Sequence, residues 1–180
     1  MRLTLHKEKG FWRAGELQEL QLDFLRMAAD DAALGDFPEG RARLYPSPLA
    51  AKDAAQDEEF LSDWHEYVGS ELEMQFAGDV GTFLSDIDEA KKYGLTADAE
   101  ENLFRLDIPL EHGQAWFSTL NQARLMLDLK HKLHVGNEPV TEDVLQEIHA
   151  SGDNPARLFV LMRYEFYSWI QEWLVQHVLL

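Results

Sequence analysis

The 180 residues suffice for one ordinary domain, and 46% hydrophobic against 27% charged residues, with 11 Gly and 6 Pro, exclude a chain disordered throughout. Sixteen Lys and Arg face 33 Asp and Glu, and a net charge of −17 repels phosphate backbones and anionic headgroups, so neither nucleic acid nor a membrane surface is an expected partner. The absence of Cys excludes disulfides, thiolate metal ligands and cysteine nucleophiles.

Leu3 and Leu5, then Phe11 to Arg13, flank a Lys7-Glu-Lys-Gly10 turn, an alternation that predicts a short hairpin at the domain edge. From Glu16 the period becomes helical through Leu17, Leu20, Phe24 and Ala28, with a stop expected near Leu34 from Gly35 and Pro38. Residues 39–48 carry two prolines and are expected to form a loop of fixed shape.

Phe60, Trp64, Val68, Leu72, Phe76, Val80, Phe83 and Ile87 recur at steps of three and four, predicting one long helix whose apolar stripe faces a partner element. Lys91 and Lys92 suit its C-terminus, and Gly78 with Gly81 places a kink or break inside it. Thr96 is expected to cap a short helical turn. Residues 103–108 fit a strand returning to the hairpin, and Pro109 fits the first position of a helix ending near Gly136. Thr141 opens a short capped helix to about Gly152, and Asn154-Pro155 opens the last one. That last stretch is apolar, but Arg163, Glu165 and Glu172 interrupt it, so it reads as a core helix rather than a membrane span. The first residues lack the apolar run and cleavage site of an export signal, so a cytoplasmic location is expected by default. The expected fold is mainly α: a single helical bundle of about five helices in one domain, with a small N-terminal β-hairpin or sheet.

Phosphate-binding Gly-rich loops, G-x-S-x-G and H-E-x-x-H are all missing, which argues against an enzyme, and no cofactor is implied. Asp128, His131 and His134 have helical spacing. With no Glu-x-x-His anywhere, they read as solvated charges at a helix end and not as a metal site. His65 beside Glu66 and His112 beside Glu111 also read as surface residues. Acidity is concentrated: residues 53–101 carry fifteen carboxylates against Lys91 and Lys92, a solvated face or a docking surface for a basic protein partner.

Arg124 follows Phe117 and Leu120 and precedes Leu127 on one helical side, so its stem is expected to be covered and its guanidinium to need partners. Asn121 lies one turn before it. Glu165, Gln171 and Glu172 of the last helix, or carbonyls of the 41–48 loop, are the candidates. An internal polar clamp is one reading and a ligand-binding arginine the other; a concave, water-accessible Arg124 distinguishes them.

Three motifs, Arg43-Leu-Tyr-Pro46, Trp116-Phe-Ser-Thr-Leu-Asn-Gln-Ala-Arg-Leu125 and Trp169-Ile-Gln-Glu-Trp-Leu-Val175, resemble in that order an uncharacterised bacterial family known only as a domain of unknown function. The resemblance spans most of the chain. It implies no established activity, but family genes often lie beside that of the Clp protease adaptor, which implies an association with regulated proteolysis. The sequence departs from the family pattern at Asp128-Leu-Lys-His-Lys132 and in the acidity of the central helix. The motifs carry over to Arg43, Tyr45, Asn121, Arg124 and Gln171 as candidate binding residues, with a structural role, fastening the Pro-rich loop to the bundle, as the other reading. The resulting expectation is a non-catalytic protein-binding or regulatory domain. The alternative is a small-molecule or enzyme site around Arg43, Asn121 and Arg124.

Overall fold

A computed structural model describes residues 1–33, 37–48, 57–93, 102–133 and 155–180. The chain opens with strand β1, Arg2–His6, a 3-10 turn and strand β2, Phe11–Leu17, paired antiparallel from Arg2 against Gly15 to His6 against Phe11. Gly10 closes the turn at φ 73°, a left-handed conformation that a side chain rarely adopts. Strand β4, Leu103–Pro109, returns to β2 as the sequence implies, and a short β3, Lys91–Tyr93, completes an antiparallel sheet in the order β1-β2-β4-β3. A register shift between Ala14 and Leu17, with Glu16 at φ 55°, marks a bulge that bends β2 into the first helix.

Five helices follow among the described residues. Helix α1, Glu19–Ala32, begins at a reciprocal cap between Gln18 and Gln21 and buries Leu22, Phe24, Leu25, Ala28 and Ala32. It starts three residues later than the periodicity suggests, because Glu16 and Leu17 belong to β2. Helix α2, Pro38–Leu44, takes the first part of the expected loop, while residues 45–48, with both of its prolines, stay outside helix and strand; Pro38 stands at the first position, where its missing donor is harmless, so it opens a helix instead of stopping one.

Helix α3 runs continuously through Glu58–Asp63, Trp64–Gly69 and Ser70–Asp88, with Asp57 Oδ1 accepting from the Phe60 amide at its start. Its irregularity is not at Gly78 and Gly81 but at Trp64–Gly69, where the turns widen to i→i+5 bonds. Lys91 and Lys92 lie in β3 and not at the helix end. Of the long stripe, Phe83 and Ile87 are buried, Trp64, Val68, Leu72, Phe76 and Val80 are half-buried, and Phe60 is exposed. The stripe is therefore fully covered only in its last two turns, while Phe76 packs against the Tyr45 ring, 5.6 Å between centroids.

Pro109 ends β4; a 3-10 turn, Leu110–His112, leads into helix α4, Gly113–His131. Helix α5, Pro155–Leu174, continues in wider turns as Val175–Leu179. The Thr96 cap, the Thr141 helix and the region around Gly136 lie outside the described residues. Helix α4 packs against α1, α3 and α5. Trp12, Leu106 and Ile108 from the sheet join Phe83, Trp116, Leu120, Tyr167 and Leu174 in the core, so β2 of the hairpin is interior while β1 stays half-buried at the edge of the sheet. None of the described helices is long and apolar enough to cross a membrane.

Candidate binding site

Residues three and four apart on a helix share a side, so Phe117, Asn121 and Arg124 form one row on α4, opposite Ser168, Gln171, Glu172, Val175 and Gln176 of the α5 segment. Between the rows lies a shallow, open hollow of about 430 Å³. Arg124 Nη1 donates to Gln171 Oε1 at 2.6 Å and Nη2 to the Tyr164 hydroxyl at 3.0 Å. Its guanidinium carbon lies 4.8 Å from the centroid of the Tyr164 ring. Gln171 in turn donates through Nε2 to the Phe117 carbonyl at 3.0 Å. Gln171 is one of the expected partners of Arg124; Tyr164 is an additional one. Among the described residues no carboxylate joins Arg124, and its partners there are the neutral Gln171 and Tyr164.

The hollow also holds polar groups that the clamp leaves over. Arg124 is half-buried, and Asn121, also half-buried, makes no hydrogen bond among the described residues. Gln176 Nε2 donates to Glu172 Oε1 at 3.1 Å on an exposed turn. Trp169, 44% exposed, lies one turn before Glu172 and Trp173.

Sequence reasoning grouped Arg43 with this cluster, and the structure separates it. Gly40 comes so near Met126 that an added Cβ would stand 2.6 Å from its methyl carbon, so α2 rests on the Met126 side of α4. Met126 is two residues from Arg124, roughly 200° around the helix axis. Arg43 is exposed and lines no part of the α4–α5 hollow. Tyr45 instead lines a second hollow of about 500 Å³ between α2 and α3, with Arg41, His65, Ser70 and Glu73. There Arg41 pairs with Glu73 and stands over the Tyr45 ring. Burial, then the nearby Glu73 charge, raises the Tyr45 phenol above its usual value.

Two polar constellations went unrecognised in the sequence. Arg163, read there as an interruption of an apolar run, is buried and grips Asp31 at 2.7 and 2.8 Å. Tyr167 donates its hydroxyl to the Phe24 carbonyl at 2.7 Å and lies 3.0 Å from Asp31 Oδ2. Burial raises the Asp31 carboxyl above its usual value, against the opposing charge of Arg163 and the hydrogen bonds from Tyr167 and Arg163. The signal was spacing: Arg163 shares its side of α5 with Val160, Tyr167, Ile170 and Leu174. In the second constellation, Asp86 accepts from Trp116 Nε1 at 2.8 Å, and its two carboxylate oxygens each lie 3.0 Å from His112 Nδ1. His112 is thus half-buried against α3 and not a plain surface residue.

A family model described as a domain of unknown function, DUF2017, matches residues 4–178. The chain belongs to the DUF2017 family. No curated protein and no solved structure matches it. The DUF2017 match covers both hollows and all three motifs. Among the described residues no three His, Asp or Glu side chains are grouped to hold a metal ion; Asp128 and His131 are on or beside the last turn of α4, and His134 lies outside the described set.

Proposed function

We propose that this DUF2017 chain is a single non-catalytic domain that binds another protein, holding an extended segment of it along the α4–α5 hollow. The observation that carries this reading is the lining: Asn121, Gln176 and Glu172 line a shallow depression beside the Arg124–Gln171 clamp. A side-chain amide offers one acceptor and two donors, the complement of a peptide group, and Asn121 has none of these engaged among the described residues. A groove this open leaves much of a small molecule in water, whereas a peptide lying across it uses its length. Exposed Trp169 supplies the amphipathic contact area that anchors such segments.

The alternative, a small-molecule or enzyme site around Arg43, Asn121 and Arg124, has weaker support, since Arg43 lies away from the other two. A role in regulated proteolysis and a bacterial setting rest on the resemblance, and a basic partner for residues 53–101 rests on the charge pattern.

The test is site-specific photo-crosslinking in native extract, with the reactive group at Gln176 or, as control, at Met74, exposed on α3. Discrete protein adducts from position 176 and none of the same mass from position 74 are expected. Identical adducts from both positions, or none from 176, would contradict the proposal.

A further inference from the structure

The two edges of the sheet are built differently. On one side β3 has three residues, two of them Lys91 and Lys92, the short and charged form that discourages a further strand. On the other, β1 presents Arg-Leu-Thr-Leu-His in five consecutive pairs with β2, with no bulge, Pro or Lys within the strand. Its outer edge has no strand beside it among the described residues. The outer backbone groups of such an edge are a template for another strand.

Charge indicates which strand. Arg2, Lys7 and Lys9 against Glu8 give the first ten residues a net charge of +2, while the remaining 170 carry −19. Two β1 edges pairing antiparallel would bring Arg2 of one copy towards Lys7 of the other, and like charges across a strand pair are destabilising. A second copy of this chain is therefore the wrong occupant. The pleat specifies the rest. Leu3 and Leu5 pack against the core on one face, which leaves Arg2, Thr4 and His6 on the other. A neighbouring strand continues both faces, so its residues alternate apolar, beside Leu3 and Leu5, with acidic, beside Arg2 and the Lys7–Lys9 turn.

We infer that the β1 edge, Arg2–His6, is a second docking site, which takes an extended partner segment of alternating apolar and acidic residues by strand addition. The site is on the sheet, apart from the α4–α5 hollow, and does not depend on that reading.

The experiment uses the full chain and a fluorescent ten-residue peptide of alternating Val and Glu, followed by anisotropy and by amide hydrogen exchange. Binding with slowed exchange at β1 is expected, weakening as salt is raised. The Val and Lys counterpart should bind at least about tenfold more weakly, as should the acidic peptide to Lys7→Glu/Lys9→Glu, two exposed turn positions whose variant is first checked for an unchanged melt. The acidic peptide N-methylated at alternate residues, which cannot complete the ladder, should not bind. Absence of binding, binding without protection at β1, equal binding of the lysine peptide, or indifference to N-methylation would each overturn the inference, as would a dimer formed through β1. Loss of partner binding at Gln176 leaves these outcomes untouched.

Discussion

Arg163 reaches from α5 to the last turn of α1, where its Nη1 lies 2.7 and 2.8 Å from the two carboxylate oxygens of Asp31. The side chains are only 9% and 11% exposed, so this pair, rather than Arg124, is the most covered ion pair among the described residues. Removing one member strands a desolvated charge, and Arg163→Met should destabilise the fold by about 3–5 kcal/mol. The double variant Arg163→Met/Asp31→Leu should be more stable than Arg163→Met alone, because no unpaired charge remains. Urea melts of the two variants against the parent check both outcomes.

Arg124→Met should be milder. Its partners, Gln171 and Tyr164, are neutral and border an open hollow where water can replace the lost donors, so a loss of about 1–2 kcal/mol is expected. A denaturant midpoint lowered as far as that of Arg163→Met would show that Arg124 is the principal clamp.

The difference between these two arginines marks how far the sequence could be read. Arg124 stood out because Phe117, Leu120 and Leu127 surround it in the helical pattern, and the clamp to Gln171 followed from that covering. Arg163 has the same signature, but its partner is 132 positions away in α1, and no periodicity identifies which element packs there. The hairpin, β4, α1, α4 and α5 were legible because strict two-residue or three-to-four-residue spacing survives in each. Helix α2 was not, since Pro38 and the prolines at 46 and 48 carry the same local chemistry whether they end a helix, start one or follow one. The widened turn at Trp64–Gly69 was likewise hidden, because apolar spacing runs unbroken across it. The candidate site was half legible: Asn121, Arg124 and Gln171 converge, whereas Arg43 and Tyr45, grouped with them by motif alone, go elsewhere.

Asp107 on β4 gives a prediction with a defined pH sign. The hydrogen bond from Arg13, reinforced against partial burial by the charges of Arg13, Arg105 and Lys91, holds its carboxyl below the usual 3.8. A carboxyl lowered in the folded state contributes stability above its unfolded value, and loses it as pH falls through the folded one. Asp107→Asn should therefore lower the unfolding free energy slightly at pH 7, by less than about 1 kcal/mol for so exposed a pair, and have no effect in strong acid. A destabilisation that persists unchanged at pH 2 would point to lost packing instead.

Fifteen carboxylates crowd residues 53–101, and on α3 only Glu73 and Asp86 have ion-pair partners among the described residues. Screening this repulsion should raise the Tm between about 10 mM and 150 mM salt, over which the Debye length shrinks from roughly 30 to 8 Å. A Tm that is flat or falls across that range would mean that these charges are paired or well separated in the fold.

The most direct measurement of the central claim is an amide hydrogen-exchange footprint of the domain with and without the protein partner crosslinked from position 176. If the α4–α5 hollow holds that partner, exchange slows on the rows carrying Phe117, Asn121 and Arg124 and carrying Ser168, Glu172 and Gln176, while α3 around Met74 is unchanged. Protection confined to α2, α3 or the sheet, with both rows exchanging as in the isolated domain, would contradict it.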